Sequence, residues 1–237
     1  MTAEPIRAVM PRTAAEMAAL IDHTILKPQT TPSEIARLCD EATLYRFASV
    51  CVNPVYVVEA ARRLEKARIP VCTVVGFPLG AGAPATKVDE ARRAIGEGAR
   101  ELDMVIFVGG LKAGEDARVH DDIAGVVAVC RAAGALCKVI LETCLLTNAE
   151  KDRACRLCVA AGADFVKTST GFSTGGATAE DVALMYAVVA PSGLKVKASG
   201  GVRLLEDARR MIAAGASRIG TSAGIEILRA MNGRPPE

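Results

Sequence analysis

Two lysines stand inside apolar, strand-like runs of this sequence, where a surface role does not require them. Lys167 lies in "GADFVKTSTGF" behind Phe165 and Val166, and Lys197 lies in "LKVKASGGVR" between Val196 and Ala198. A lysine in water titrates near 10.4, so at pH 7 about one molecule in 2,500 offers the free amine. That amine is the nucleophile that condenses with a carbonyl to make a Schiff base. Burial disfavours the charged form, and a second ammonium within ~4–6 Å does the same. Lysines facing one interior from consecutive strands would therefore perturb each other. Asp103, in "ELDMVIF", is a third charge in an apolar run. One carboxylate beside two lysines can keep one protonated and relay protons, leaving the other free as an amine.

Blander readings of single residues exist. A lone strand lysine usually packs its stem and keeps its head in water, and Lys138 and Lys195 are expected to do so. Asp103 alone also fits a structural ion pair. Three such charges together are harder to explain that way, because burying charge without a use costs stability.

The elements that would hold these residues announce themselves by repetition. "GEGARELDMVIFVGG", "AAGALCKVILET", "AAGADFVKTSTG", "PSGLKVKASGG" and "AAGASRIGTSAG" share one plan. A helix ends at glycine, the residue that accepts a left-handed cap. An apolar run follows, continuous rather than alternating, as in a parallel strand covered on both faces. Helix starts are marked by Thr31-Pro32 with Glu34, by Thr147 with Glu150, and by Thr178 with Asp181. These spacings suit capping boxes, with proline in the first turn.

Strands are predicted over residues 20–24, 47–52, 71–76, 102–108, 136–142, 164–168, 194–198 and 218–220. Eight strands alternating with helices imply an α/β fold, a single (β/α)8 TIM barrel. The expected organisation is one domain over 1–237, with a short N-terminal helical extension (1–18) and the barrel over 19–230. A doubly wound open sheet is the alternative. It would favour a glycine-rich turn after the first strand, and "IDHTILKP" has no glycine.

In either parallel architecture, function gathers where strands end. "SGGVR" and "GTSAG" close the last two strands, where barrels often hold phosphate. Gly200, Gly201, Gly220 and Ser222 suit that role, with Gly171 contributing from the sixth strand; otherwise these are only tight turns. Glycines let backbone N–H groups approach phosphate oxygens.

Other chemistries find little support. The balance of 29 basic and 27 acidic residues leaves a formal charge of only +2, and there is no Trp, so nucleic acid is not an expected partner. Neither a secretory signal nor a membrane-length apolar run is evident, so no membrane partner is expected. The eight cysteines read as reduced and buried in a cytoplasmic protein. Cys155 and Cys158 form a C-x-x-C within a helical pattern and lack a second ligand pair, which argues against zinc or redox use. With only His23 and His120, no histidine-rich zinc site can be assembled, and no metal is expected. His23 reads as a hydrogen-bonded structural residue after the first strand, and His120 as solvated.

The phrases "IDHTILKP", "CVNP", "VVGFPLGA", "ELDMVI", "FVKTSTGF", "KASGGVR" and "RIGTSAG" resemble, in order, those of the deoxyribose-phosphate aldolases. These are class I aldolases on a TIM barrel, and the likeness runs from about residue 20 to 225. It implies reversible cleavage of 2-deoxy-D-ribose 5-phosphate to D-glyceraldehyde 3-phosphate and acetaldehyde, with no cofactor. By motif position, Lys167 is the implied Schiff-base lysine, Lys197 its neighbour in proton transfer, and Asp103 the proton relay. The resemblance also places Asp22, Thr24, Cys51 and Thr170 in the site. Implied phosphate contacts are Gly171, Gly200, Gly201, Val202, Arg203, Gly220 and Ser222. Some members carry a lysine after "TSTG", where this chain has Phe172, leaving Arg203 as the main cation nearby. Another Schiff-base aldolase of a phosphorylated keto sugar is the nearest alternative, and a non-catalytic sugar-phosphate-binding barrel a more distant one. The expected partner is a small phosphorylated substrate, and the expected assembly a homodimer or higher homo-oligomer.

Overall fold

The computed structural model describes residues 9–233, and its parallel strands close into a barrel in chain order. The strands are β1 (Ile21–Ile25), β2 (Ser49–Val52), β3 (Val71–Val75), β4 (Glu101–Val105), β5 (Leu136–Ile140), β6 (Phe165–Lys167), β7 (Lys195–Ser199) and β8 (Arg218–Thr221). Closure pairs Ile21 of β1 with Ile219 of β8, which excludes the open doubly wound sheet. The eight predicted strands are all found, with ends shifted by one or two residues at most except for a larger change in the fourth. The fourth was expected to reach residue 108; it ends at Val105, because Val108 opens a short helix. A continuous apolar run does not by itself distinguish strand from buried helix.

The helices follow as α1 (Ala14–Ala18), α2 (Pro32–Tyr45), α3 (Val57–Leu64), α4 (Pro84–Gly96), α5 (Val108–Lys112), α6 (Asp116–Ala132), α7 (Asn148–Ala161), α8 (Ala179–Val189), α9 (Leu205–Ala213) and α10 (Gly224–Met231). Of the expected extension over 1–18, residues 1–8 lie outside the described residues, and α1 forms the rest. The capping boxes at Thr31 and Thr147 form as read, whereas at Thr178 only the hydroxyl half forms, accepting from Asp181 N at 3.0 Å. The Glu34 side chain accepts from Thr31 N at 2.7 Å, and that of Glu150 from Thr147 N at 2.7 Å. Helix α7 ends at Gly162 with φ +76°, the left-handed cap that glycine favours. Among the described residues no helix is long and apolar enough to cross a membrane.

The main core lies between the outer faces of the strands and the helices. A second, small apolar cluster of Leu26, Cys51, Cys72 and Val74 has Phe77 packed against it. Barrel interiors are usually packed with branched aliphatic side chains. Here register brings charges inward instead. In-register neighbours on parallel strands face the same side, and Lys167 lies opposite Lys197, Lys197 opposite Arg218, and Asp103 opposite Lys138.

Candidate active site

The side chains of β4, β6 and β7 meet on one oxygen. Lys167 Nζ and Lys197 Nζ each lie 2.7 Å from Asp103 Oδ2. Lys197 also lies 2.5 Å from Asp22 Oδ2, an ion-pair contact without hydrogen-bond geometry. Asp103 and Asp22 are fully buried, and Lys167 and Lys197 nearly so.

Lys138 corrects an expectation. Instead of sending its head to water, it is fully buried, with Nζ 2.7 Å from both Asp103 Oδ1 and Glu101 Oε2. Its place in β5 turns it into the barrel, and three acids there replace the water it loses. Lys195 does behave as expected, exposed at the start of β7 with its ammonium over the Phe165 ring. Arg218 completes the cluster, 2.5 Å from Asp22 and 3.2 Å from Glu101. Sequence reasoning missed Glu101, Lys138 and Arg218 as members. A signal existed for Lys138, which interrupts "LCKVI" as Lys167 interrupts "DFVKT".

Four cations face three carboxylates, so the fully ionised cluster carries one surplus positive charge. Lys138, Lys197 and Arg218 each touch two or more acids, whereas Lys167 touches Asp103 alone. Burial works to neutralise Lys197, but Asp103 and Asp22 outweigh it and raise its pKa above the ordinary lysine value. Burial likewise opposes the charge on Asp103, and Lys138, Lys167 and Lys197 overcome it, holding the carboxyl well below the usual range. The proton that leaves such a cluster most readily is thus not on Lys197. Of the four cations, Lys167 is held by the fewest ion-pair contacts.

Cys51 and Cys72 face each other across β2 and β3 beneath these groups. Hydrogen bonding to Cys72 pulls Cys51 below the ordinary thiol value against burial. Two sets of donors, Cys51 with Cys72 and Asp103, and Asp22 with Cys72 and Glu101, have ligand atoms within 4.8 Å of one another. Lys138 Nζ, 2.7 Å from Asp103 and Glu101 and 3.1 Å from Cys72 Sγ, already serves both sets as their cation. Cys155 and Cys158 lie buried on α7, where burial pushes Cys155 up to about 12, a poor state for a ligand or redox thiol.

A cavity of about 330 Å³ opens above the cluster at the carboxyl ends of the strands. Lys167 and Lys197 form its floor, and Thr24 reaches it from β1. Thr170 and Gly171 enter after β6, Gly200, Gly201, Val202 and Arg203 after β7, and Gly220 and Ser222 from β8 and its loop. Asp22, Cys51 and Asp103 do not line the opening and lie below it. The cavity brings together all the expected site residues except these three, which lie in the barrel interior. At Gly220 a Cβ would stand 3.0 Å from Lys197 Cε, so its absence makes room for that lysine's stem.

Thr170 is held by Glu142, which lies two residues past β5 in a left-handed conformation. The Glu142 carboxylate accepts from Thr170 Oγ1 at 2.5 Å and from its backbone N–H at 3.3 Å. Phe172 lines the cavity half-exposed, its ring edge-on to Phe77 at 5.2 Å, so an aromatic wall stands where a lysine was considered. His23 lies within β1 rather than after it, bonded to Glu41 at 2.8 Å, while His120 sits partly exposed beside Asp121. A larger groove of about 610 Å³ lies at the opposite end, near the starts of β3 and β4. Arg62, Arg68, Arg100, Glu65 and Glu97 give it mixed charge, and no charged side chain of the barrel interior reaches it.

Comparison with known proteins agrees with this geometry. The family model described as DeoC/LacD family aldolase matches residues 16–231. Deoxyribose-phosphate aldolase 2 of Bacillus licheniformis is 59% identical over 218 residues, 92% of this chain and 97% of that protein. The deoxyribose-phosphate aldolase of Bacillus subtilis is 58% identical over 216 residues, 91% of this chain and 96% of that protein. Among solved structures, a putative deoxyribose-phosphate aldolase from Coccidioides immitis superimposes with a TM-score of 0.90 at 44% identity, covering 92% of this chain and 87% of that one. The deoxyribose phosphate aldolase from Aeropyrum pernix, described as a unique tetramer, gives 0.87 at 35% identity, covering 93% and 92%. The family-model match over residues 16–231, with relatives 58–59% identical over more than nine-tenths of the chain, places it in the DeoC/LacD family of aldolases.

Proposed function

We propose that this chain is a deoxyribose-phosphate aldolase, cleaving 2-deoxy-D-ribose 5-phosphate reversibly to D-glyceraldehyde 3-phosphate and acetaldehyde through a Schiff base on Lys167. The observation that carries the reading is Lys167 Nζ on the cavity floor, sharing Asp103 Oδ2 with Lys197 at 2.7 Å each. The relatives that bear this name are 58–59% identical over more than nine-tenths of the chain.

Neutral Lys167 attacks C1 of the open-chain sugar phosphate, and loss of water leaves a protonated imine. Asp103, with Lys197 and water, takes the C3 hydroxyl proton. The C2–C3 bond breaks, its electrons pass into the imine to form an enamine, and glyceraldehyde 3-phosphate leaves. Protonation of the enamine carbon and addition of water release acetaldehyde and return the amine. The lysine itself is the electron sink, so the sequence of steps closes without a cofactor. The loops after β7 and β8 and Gly171 receive the phosphate, Thr24 lines the cavity, and Cys51 and Asp22 support its floor from below. The chain works as one barrel unit, in the cytoplasm, as a homodimer or larger homo-oligomer.

Borohydride reduction in the presence of acetaldehyde or the sugar phosphate, followed by peptide mass mapping, tests this. The adduct is expected on the peptide carrying Lys167 and absent in Lys167→Met. An adduct on another lysine, or activity surviving that substitution, rejects the mechanism.

A further inference from the structure

We propose that Lys27 is a phosphate-binding residue of this site, gripping the dianionic end of the substrate opposite Arg203. The inference rests on the reading of the site as one for a phosphorylated sugar. The cavity lining holds four cationic side chains, Lys27, Lys167, Lys197 and Arg203, and no carboxylate. Lys167 and Lys197 are engaged by Asp103 below. Neither Lys27 nor Arg203 has a carboxylate within 4.0 Å among the described residues. Glu34 is within electrostatic reach of Lys27, but it is committed to the cap of α2.

Topology sets where these two free cations stand. β8 lies between β7 and β1 in the closed barrel. Arg203 follows the end of β7 and Lys27 the end of β1, so they flank Thr221 and Ser222 from either side. A phosphate over that segment would meet one cation on each flank and the backbone N–H groups of the glycine loops between them. The Lys27 backbone is fixed on both sides. Asn53 Nδ2 donates to Leu26 O at 3.1 Å, and Thr30 N donates to Lys27 O at 3.1 Å. Leu26 itself is buried in the barrel mouth. A long, exposed stem from a fixed base, beside a cavity without acids, is what a point-charge phosphate ligand requires.

Lys27→Met keeps most of the stem and removes the charge. It is expected to raise KM for 2-deoxy-D-ribose 5-phosphate roughly tenfold, the loss of one charge-assisted hydrogen bond, with kcat nearly unaffected. The Ki of inorganic phosphate as a competitive inhibitor should rise by a similar factor, and Lys27→Arg should restore both. Reductive trapping of acetaldehyde, which has no phosphate, reports that each variant is folded. Unchanged KM and Ki in Lys27→Met overturn the proposal. So does an equal loss toward unphosphorylated 2-deoxy-D-ribose, which would mark a structural role. A wild-type chain that fails to cleave the sugar phosphate, yet binds inorganic phosphate through Lys27, would support this anion site and reject the substrate reading instead.

Discussion

Asp103 is the residue on which the site turns, because its two oxygens serve three lysines at 2.7 Å each. Asp103→Asn keeps the shape and removes the charge that fixes those ammoniums. Its expected effect is a drop in kcat of ~10²–10⁴-fold, the usual scale for losing an acid–base group, measured by coupled assay of released acetaldehyde. Lys138 makes a different prediction. Its Nζ does not line the cavity but touches Asp103, Glu101 and Asp22. Lys138→Met would leave buried carboxylates short of a cation and cost about 3–5 kcal/mol of stability, read by urea denaturation. A variant as stable as the wild type would show that Arg218 and Lys197 alone satisfy the acids. Lys167, Lys197 and Asp103 were legible as charges interrupting apolar runs. Glu101 and Arg218 were not, because each sits at the first position of its strand, where a charge is ordinarily solvated. Only closure of the barrel reveals their role, bringing Arg218 to Asp22 across 196 positions of chain.

The elements around the barrel are fastened by a device that helical periodicity does not display. Lys87 of α4 reaches Asp122 of α6 at 2.5 Å and the carbonyl of Val105 at 2.9 Å, all within the core. Lys151 of α7 reaches Asp181 of α8 at 2.5 Å in the same manner. Sequence reading recovered the helices themselves, since threonine caps and terminal glycines are local signals. It did not recover these clamps, because a lysine on a helix looks alike whether its face meets water or a neighbouring helix. Burial raises the Asp122 pKa even against Lys87, so loss of the lysine would leave this buried carboxylate without its cation. Lys87→Met should therefore destabilise by about 3–5 kcal/mol, and Lys87→Met with Asp122→Leu should recover much of that loss. A double-mutant cycle by urea denaturation measures the coupling. Simple additivity would mean the two helices are held by apolar packing alone.

At the scale of the whole molecule, the barrel was readable from its repeated glycine–strand punctuation, while exact strand ends were not, as the early stop of β4 shows. Stability as a function of pH is likewise a property of the whole fold, and here one residue governs its near-neutral range. His23 Nε2 lies 2.8 Å from Glu41, a distance that would suit an imidazolium–carboxylate pair. Burial opposes that charge and outweighs Glu41, holding the pKa below the ordinary histidine value. His23 Nδ1 supports the neutral ring, being buried without a partner, so a second N–H there would have nothing to accept it. The ring stacks on Phe47 with centroids 4.6 Å apart, which adds no acceptor. In the unfolded chain His23 titrates near 6.5. Above that value both states hold a neutral ring and its titration contributes nothing. As pH falls through about 6.5, the unfolded chain gains a proton that the folded chain refuses, so stability declines until the folded value is reached. The slope is at most about 1.4 kcal/mol per pH unit for one site. Asp22 and Asp103, both held far below their usual range, keep their contribution until the pH nears ~4, where unfolded carboxylates protonate. Urea midpoints measured from pH 7.5 down to 5 should therefore fall for the wild type, and His23→Gln should flatten that decline. A wild-type midpoint that rises on acidification through this window would mean that the imidazolium, paired with Glu41, is the folded form after all.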